Sequence, residues 1–265
     1  MSILSHAKRI VVKVGTSTLT HSTGLLNIRK IELLVKILAD LKNAGKDLIL
    51  VSSGAIGVGV GELNMKQRPT DTPTKQACAA IGQCELMYIY DKLFSQYNHK
   101  VAQILLTRDI IEQDKRKQNV QNTFHRLLEL NVIPVVNEND TVSVEELEFG
   151  DNDTLSAIVG TLVETDLLLI LSDIDGLYNK NPKQFADAHL IHHVPNISQE
   201  ILALAGGKGS ALGTGGMITK LNAAQIALAN GFPMVLLNGK HPEQIYQLYD
   251  GETVGTIFGT SERRL

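Results

Sequence analysis

Short aliphatic segments alternate with amphipathic helical segments along the chain, and this alternation restricts the possible folds more than any other feature. Six segments of strand character are separated by segments in which apolar residues recur at helical spacing. Ile28–Asn43 shows the helical repeat, whereas Asp47–Ser52 is almost entirely aliphatic. Aliphatic strands of this kind are covered on both faces by helices. The sequence therefore predicts an α/β fold with a mainly parallel central sheet.

The predicted elements cover most of the chain. The predicted strands are Ile10–Val14, Asp47–Ser52, Val101–Leu106, Val132–Val136, Leu167–Leu171 and Pro233–Leu237. The predicted helices are Ile28–Asn43, Lys75–Gln96, Lys115–Leu130, Asn152–Val163 and Gly216–Asn230, and a hairpin is expected over Thr141–Phe149. No linker, repeat or change in composition divides the sequence, so we expect one domain over residues 1–265.

The composition excludes several classes of protein. A hydrophobic fraction of 43% and a charged fraction of 20% are typical of a globular protein and exclude a disordered or collagen-like chain. The net charge of −3 lacks the basic excess of a general nucleic-acid binder. Apolar runs such as Leu167–Leu171 are far shorter than the ~20 residues of a membrane span, and residues 1–9 contain no signal-peptide core. The spacing of Cys78 and Cys84 matches neither a zinc knuckle nor a disulfide framework, so we expect a cytoplasmic protein with reduced thiols.

Two turns that follow predicted strands are suited to anion binding. In open α/β sheets, ligands bind beyond the carboxyl ends of the strands. Lys13 and Gly15 lie at the end of the first strand, and Ser53–Gly61 contains four glycines directly after the second. Backbone N–H groups at such a turn can approach a phosphate. The glycine spacing matches neither the dinucleotide fingerprint nor the Walker A loop. A lysine at a strand edge and a merely flexible turn are the structural alternatives.

A third turn is the glycine-rich segment Gly206–Gly216, which precedes a predicted helix. Lys220 lies about one turn inside that helix, so its side chain leans back toward the helix N-terminus. Because that end of a helix is positive, a lysine is poorly placed there unless an anion balances it. This pattern predicts a functional lysine.

Acidic and amide residues are concentrated in Asn137–Thr141 and Gly150–Thr154. So many polar groups after an apolar strand are costly to bury unless they bind something. Paired carboxylates are compatible with glycoside hydrolysis or a metal site, and the structural alternative is an Asx-rich turn with helix caps. We interpret Asp151 as a cap and Asp140 and Asp153 as functional. Together with the two lysines, these groups indicate phosphoryl transfer, which mainly requires positioning and charge neutralisation.

Six motifs together resemble the amino acid kinase family. They are Val12–Ser17, Val51–Ile56, Val136–Asp140, Gly150–Asp153, Ser172–Tyr178 and Gly213–Met217, in the family's order and within about Arg9 to Phe258. Asn-Glu-Asn-Asp followed by Gly-Asp-Asn-Asp is similar to the branch that phosphorylates free glutamate. The resemblance implies a three-layer α/β/α sandwich with an acceptor-binding lobe (about 1–165) and a nucleotide-binding lobe (about 166–265). Because the chain ends at Leu265, we expect the short form without the RNA-binding-like (PUA) domain of many members.

The resemblance also implies a transferase reaction and a set of site residues. ATP would phosphorylate the side-chain carboxylate of L-glutamate to L-glutamyl 5-phosphate, the first step of proline biosynthesis, with Mg²⁺ assisting. Lys13 and Lys220 would flank the transferring phosphoryl group, and Asp153 would hold both lysines. The implied glutamate-binding residues are Ser53, Asp140 and Asn152. The implied ATP-binding residues are Lys13, Gly15, Ser172, Asp173, Thr214, Gly215, Gly216, Met217, Ile218, Thr219 and Lys220. No protein side chain is assigned to a metal, and L-proline inhibition and a homo-oligomer (dimer or tetramer) are further expectations.

Two other functions share part of this pattern. An acetylglutamate, aspartate, carbamate or uridylate kinase would have the same lysines and glycine loops but a different acceptor region. The segment Asn137–Asp153 favours a free amino acid with an α-ammonium group. A non-catalytic amino-acid or nucleotide sensor could lose a catalytic lysine, whereas this sequence has both Lys13 and Lys220.

Overall fold

The computed structural model describes residues 3–21, 23–107, 110, 112–142, 151–205 and 216–260. The strands are β1 (Arg9–Val14), β2 (Asp47–Ser52), β3 (Val101–Leu106), β4 (Ile133–Glu138), β5 (Leu167–Ser172), β6 (Leu177–Tyr178), β7 (Leu190–Ile191), β8 (His193–Val194), β9 (Met234–Asn238) and β10 (Thr256–Phe258). The helices are α1 (Ile3–His6), α2 (Thr16–Leu19), α3 (Ile28–Asn43), α4 (Ala55–Glu62), α5 (Thr72–Ser95), α6 (Asp114–Glu129), α7 (Asn152–Leu162), α8 (Gln199–Ala205), α9 (Met217–Ala229) and α10 (Gln244–Asp250).

Eight strands form one sheet in the order β3-β4-β2-β1-β5-β9-β10-β8. Neighbouring strands in this sheet run parallel except for β9 and β10, which are antiparallel. The strands β1, β2, β4, β5 and β9 therefore all end at the same edge of the sheet. The connections that follow them meet there, as the rule for open α/β sheets requires.

The sheet separates two apolar layers. Along β1, Val12 and Val14 pack in the layer that contains α3 and α5, whereas Val11 packs on the other side with α7 and α9. This division follows from the pleat, because successive side chains of a strand point to opposite faces. All three of these valines are fully buried. The predicted three-layer α/β/α sandwich with a mainly parallel sheet is confirmed.

The predicted bounds are confirmed for α3, β2 and β3, and most other bounds differ by one or two residues. The largest shift is at α5, which begins at Thr72 rather than at Lys75. Asp71 is the N-cap, and its carboxylate accepts a hydrogen bond of 2.9 Å from the backbone N–H of Thr74. Pro73 adds a residue that is well tolerated in the first turn. These start signals lie before the first apolar repeat, which is why the repeat alone placed the helix too late.

The glycine-rich segment after β2 was expected to be a turn, and this expectation was wrong for most of its length. Ala55–Glu62 forms the helix α4, although it contains three glycines. The reason is tertiary: a Cβ atom on Gly59 would overlap the backbone carbonyl of Cys78, and one on Gly82 would overlap that of Ala55. Glycine thus permits close packing of α4 against α5, and this packing overrides its low helix propensity.

Several short elements were not predicted, since they are too short to show a repeat. They are α1, α2, α8, α10, β6, β7, β8 and β10. The expected hairpin over Thr141–Phe149 lies almost entirely outside the described residues, because only Thr141 and Val142 belong to them. Within the described part of the chain, no helix has the length and apolarity needed to cross a membrane.

Because α4 and α5 pack so closely, a substitution that favours helix formation should destabilise the protein at this contact. Gly82→Ala should lower the free energy of unfolding by about 1–3 kcal/mol, because the new methyl group overlaps the carbonyl of Ala55. Helix propensity alone would raise it by about 1 kcal/mol. Urea unfolding followed by circular dichroism measures the sign. Cys84→Ala, at an exposed position of the same helix, is the control and should stay within about 0.5 kcal/mol of the wild type. A stabilised Gly82→Ala variant would contradict the packing.

Candidate functional site

A cleft of about 420 Å³ opens at the carboxyl-terminal edge of the sheet. It is bordered by the ends of β1, β2, β4 and β5 and by the first turns of several helices. Its walls include nine residues predicted from the sequence: Lys13, Gly15, Ser53, Asp140, Asn152, Asp153, Ser172, Asp173 and Lys220. The structure therefore brings together residues that are more than 200 positions apart in the chain.

A buried carboxylate between two lysines forms the floor of this cleft. One oxygen of Asp153, Oδ1, lies 2.6 Å from Nζ of Lys13, and the other, Oδ2, lies 3.0 Å from Nζ of Lys220. Asp153 is 1% exposed, Lys13 8% and Lys220 3%. The hydroxyl of Thr219 also donates to Oδ2, at 3.0 Å. Strand β1 and helices α7 and α9 thus meet at a single acidic side chain.

The anion that Lys220 requires is supplied in part by the protein itself. Burial alone would raise the pKa of Asp153, but the charges of Lys13 and Lys220 and the hydrogen bonds that they donate outweigh it, so the pKa lies below its ordinary value. Asp153 is therefore ionised at neutral pH. Two lysines and one carboxylate leave an excess of one positive charge. This excess can attract a further anion into the cleft.

Three helices that contribute residues to the cleft have a glycine N-cap that offers no side-chain hydrogen bond. Gly15 precedes α2, Gly54 precedes α4 and Gly216 precedes α9. By contrast, Asn27 caps α3 and Asp71 caps α5 through their side chains. The first N–H groups of a helix have no partner within the helix. The backbone N–H groups at the start of α2, α4 and α9 are thus suited to binding an anion, as is the partial positive charge of each helix end.

The conformation of Gly54 explains why this residue type is needed at the turn. Its φ angle is +101°, in the left-handed region that glycine adopts without cost. A Cβ atom there would also lie 3.3 Å from the side chain of Thr16. The turn therefore places the beginning of α4 against the beginning of α2.

Amide and hydroxyl groups line the cleft beside the charged floor. Nδ2 of Asn152 donates hydrogen bonds to Oγ of Ser53 at 2.9 Å, to the carbonyl of Ser52 at 3.1 Å and to Oδ1 of Asn137 at 2.9 Å. Asp140 lines the same cleft. Asp151 accepts a hydrogen bond of 2.8 Å from the backbone N–H of Thr154 and is the N-cap of α7, so its interpretation as a cap is confirmed.

The ends of β5 and β9 form a second polar region. Oγ of Ser172 donates to Oδ1 of Asp173 at 3.1 Å. Asp175 accepts hydrogen bonds from Nδ2 of Asn238 at 2.7 Å and from the hydroxyl of Tyr178 at 2.9 Å. These bonds lower the pKa of Asp175, with the bond from Asn238 contributing most. The region is thus ordered by side chains from the strands β5, β6 and β9 and from the β5–β6 connection.

The predicted ATP-binding segment is only partly described. Thr214 and Gly215 lie outside the described residues, as does most of the glycine-rich segment before them. Gly216 and Met217 begin α9, and Ile218 is 46% exposed. These last three residues are not among those that line the cleft. Their part in ATP binding stays a prediction.

Some residues of the cleft were not singled out in the sequence. Arg68 lies in the connection between α4 and α5 and is one of the residues that line the cleft. No local pattern distinguishes it from other surface arginines. Asn137 is part of a motif that we did identify, and its position as the last-but-one residue of β4 was a usable signal. Thr16 reaches the cleft as the first residue of the unpredicted α2.

The described residues contain no group of three or more histidine, cysteine, aspartate or glutamate side chains that could hold a metal ion. Both oxygens of Asp153 already contact lysines.

Sequence comparisons place the chain among known proteins. The model of the amino acid kinase family matches residues 8–238. Glutamate 5-kinase of Clostridium perfringens is 53% identical over 259 residues, which cover 96% of each chain. The proteins of the same name in Enterococcus faecalis and Clostridium acetobutylicum are 53% and 55% identical, also over 96% of each chain.

Solved structures share the fold at much lower identity. Carbamate kinase from Giardia lamblia bound to AMP-PNP has a TM-score of 0.68 at 16% identity, over 97% of this chain and 99% of the other. Isopentenyl phosphate kinase from T. acidophilum has a TM-score of 0.65 at 16% identity, over 94% and 99%. UMP kinase from Bacillus anthracis has a TM-score of 0.65 at 15% identity, over 96% of both chains.

The buried carboxylate predicts a pH-dependent contribution to stability. Because the pKa of Asp153 is lowered in the folded state, its ionised form stabilises the fold above the unfolded pKa of about 3.9, and this contribution is lost as the pH falls through the folded pKa. Asp153→Asn should cost about 3–5 kcal/mol at pH 7, since it leaves two buried lysines without their partner. The difference from the wild type should stay constant down to about pH 5 and shrink below about pH 4.

Urea unfolding at a series of pH values measures this difference. Asp187→Asn is the matched control, because it removes an ion pair with Lys180 in which the carboxylate is 79% exposed. Its effect should stay within about 1 kcal/mol at every pH. A difference for Asp153→Asn that does not change between pH 7 and pH 3 would contradict the buried ion pairs.

Proposed function

This chain belongs to the amino acid kinase family, and we infer that it transfers the γ-phosphoryl group of ATP to the side-chain carboxylate of L-glutamate. The product is L-glutamyl 5-phosphate, and the activity is that of a glutamate 5-kinase in proline biosynthesis. Identity above 50% over 96% of the relatives carries the inference. The solved structures are only 15–16% identical to this chain and therefore show the fold alone. They do not favour carbamate, UMP or isopentenyl phosphate as the acceptor.

We propose that Lys13 and Lys220 stabilise the charge of the transferring phosphoryl group. A carboxylate is a poor nucleophile toward ATP, because both reactants are anionic. Two ammonium groups on the floor of the cleft reduce this repulsion. Their stabilising effect is greatest in the transition state, as negative charge develops on the phosphoryl oxygens. Asp153 contacts both lysines and is already ionised, so we assign it the role of holding them in position and not that of a general base.

The acceptor-binding part of the proposal concerns Ser53, Asp140 and Asn152. The carboxylate of Asp140 is suited to the α-ammonium group of glutamate, and the hydroxyl of Ser53 is suited to a carboxylate. Arg68 lines the same cleft, so its guanidinium would offer a positive charge for the second carboxylate of the substrate. A free amino acid with two carboxylates matches these charges.

The donor-binding part of the proposal concerns the beginnings of α2 and α9 and the end of β5. Backbone N–H groups after Gly15 and Gly216 would bind phosphate oxygens, and Ser172 and Asp173 would contact the nucleoside. We assign Thr214 through Lys220 to the same task. Mg²⁺ would enter with ATP, held mainly by phosphate oxygens and water, which suits the way Mg²⁺ usually binds in kinases. Bound Mg²⁺ would neutralise phosphate charge.

Four further expectations stay predictions. They are inhibition by L-proline, assembly into a homo-oligomer, a cytoplasmic location, and the division into an acceptor lobe (about 1–165) and a nucleotide lobe (about 166–265). One observation bears on the lobes: strands of both halves lie side by side in one sheet, where β1 pairs with β5 over five residues. Any movement between the halves would therefore have to twist this sheet.

Trapping of the acyl phosphate tests the reaction and the acceptor together. The protein is incubated with ATP, Mg²⁺ and hydroxylamine, and with L-glutamate, N-acetylglutamate or aspartate in turn. We expect hydroxamate with L-glutamate alone, because N-acetylglutamate lacks the free ammonium group that Asp140 would bind and the side chain of aspartate is one methylene shorter. Reactions without hydroxylamine are the control for ADP release. ADP release without hydroxamate, or hydroxamate with N-acetylglutamate instead, would contradict the proposed acceptor.

Lys220→Met tests the electrostatic role of the buried lysines. We expect kcat to fall about 10²-fold or more, on the scale of losing one stabilising group in the transition state. Lys36→Met, at an exposed position of α3, is the matched control and should leave kcat unchanged. Thermal melting shows whether each variant is folded. A folded Lys220→Met variant with the kcat of the wild type would remove Lys220 from the catalytic residues.

A further inference from the structure

Three side-chain amides form a continuous hydrogen-bonded chain from helix α5 to the cleft. Nδ2 of Asn137 donates to Oε1 of Gln83 at 2.9 Å, and Oδ1 of Asn137 accepts from Nδ2 of Asn152, also at 2.9 Å. Gln83 is 8% exposed and Asn137 2%. Gln83 does not line the cleft, whereas Asn137 and Asn152 do. A buried glutamine of a core helix is therefore connected to a proposed substrate-binding residue through one intermediate.

Two backbone groups determine the direction of the bonds in this chain, namely the N–H of Glu138, which faces Asn137, and the carbonyl of Ser52, which faces the nitrogen of Asn152. The backbone N–H of Glu138 donates to the side chain of Asn137 at 2.9 Å. Because a backbone N–H can only donate, the atom that faces it must be the oxygen of Asn137. The nitrogen of Asn137 then faces Gln83, so Gln83 must present its oxygen. The oxygen of Asn137 also faces Asn152, so Asn152 must present its nitrogen.

This direction leaves one defined set of groups for a ligand. Nδ2 of Asn152 has two hydrogens and three acceptors around it, namely Ser53 Oγ, the Ser52 carbonyl and Asn137 Oδ1. Its donors are thus used within the protein, and its carbonyl oxygen is the group that remains for a ligand. Oγ of Ser53 accepts from Asn152, so its own hydrogen remains free to be donated. Asn152 accordingly acts as an acceptor in the cleft and Ser53 as a donor.

We propose that Gln83 is a positioning residue that supports the specificity of the acceptor site: by accepting a hydrogen bond from Asn137 it holds that side chain in place, and through it the position of the Asn152 amide. The proposal rests on the proposed function and deepens it. An acceptor oxygen on Asn152, together with the carboxylate of Asp140, selects a substrate that carries an ammonium group. If Asn137 moved, the Asn152 amide would lose one of its three acceptors, and its oxygen would no longer be held in position for the ammonium group. Gln83 acts through Asn137 and touches no substrate.

The substitution Gln83→Met tests this role, since methionine has a similar length but offers no strong acceptor to Asn137. We expect the KM for L-glutamate to rise about 5- to 20-fold, the range expected when one buried amide loses its partner. The KM for ATP should stay within about twofold. The diagnostic readout uses glutarate, which has both carboxylates but no ammonium group. Because glutarate has no ammonium group for Asn152 to bind, its inhibition constant should change little. The ratio of this constant to the glutamate KM should therefore fall by about the factor by which the glutamate KM rises.

Two further variants separate positioning from stability. Gln83→Glu keeps an oxygen facing Asn137, so it should restore most of the preference for glutamate. Leu86→Ala creates a cavity one turn further along the same helix, so it should lower the melting temperature without changing the glutarate ratio. Equal ratios in Gln83→Met and the wild type would overturn the positioning role. So would a change in Leu86→Ala as large as that in Gln83→Met, or a Gln83→Glu variant no better than Gln83→Met.

The hydroxamate assay on the wild-type protein shows whether a negative result concerns the role of Gln83 or the proposed function. If it forms glutamyl hydroxamate and Gln83→Met retains the glutarate ratio, the proposed function stands and only the role of Gln83 is overturned. If the wild type forms no hydroxamate from glutamate, the proposed function and the inference that rests on it are both overturned.

Discussion

The contact of Asp153 with Lys13 and Lys220 is the interaction on which the rest of the site depends. It joins the end of β1 to the first turns of α7 and α9, with Nζ–O distances of 2.6 and 3.0 Å. Two buried ammonium groups would repel each other strongly without an anion between them. With one carboxylate between them they form a cluster of net charge +1. This cluster can be buried in the folded protein and can still attract a phosphoryl group. The same side chain thus makes the cluster stable and leaves it incompletely neutralised.

The parallel sheet explains why this cluster and the polar groups lie together. Parallel strands all end at one edge, and helices α2 and α4 begin there directly after β1 and β2. Helix starts bring uncompensated N–H groups and partial positive charge. At α2, α4 and α9 the N-cap is a glycine, so no side chain of the cap residue occupies those N–H groups. The floor of the cleft, where Lys13, Lys220 and Asp153 meet, is therefore positive, and the helix starts add to this charge, which suits a reaction between two anions.

Much of the fold and of the site could be predicted from the sequence, and the failures have physical reasons. The bounds of α3 were correct because its apolar repeat is regular and Asn27 caps its start. Helix α4 was mistaken for a turn because its glycines serve packing against α5, which no local pattern reveals. Arg68 was missed because its approach to the cleft depends on where the α4–α5 connection lies. Gln83 was missed because a glutamine within a helix carries no signal until its partner is known.

The sequence by itself determined the layer architecture and the chemical character of the site. Alternating aliphatic strands and amphipathic helices are local patterns, and so are a lysine beside a glycine and the two acidic motifs. The tertiary structure alone decided which of these groups meet. It placed one carboxylate between two lysines that are 207 positions apart and fixed the direction of the amide chain through the backbone N–H of Glu138 and the carbonyl of Ser52. Such pairings depend on distances across the sheet, and a linear pattern of residue types contains no information about those distances.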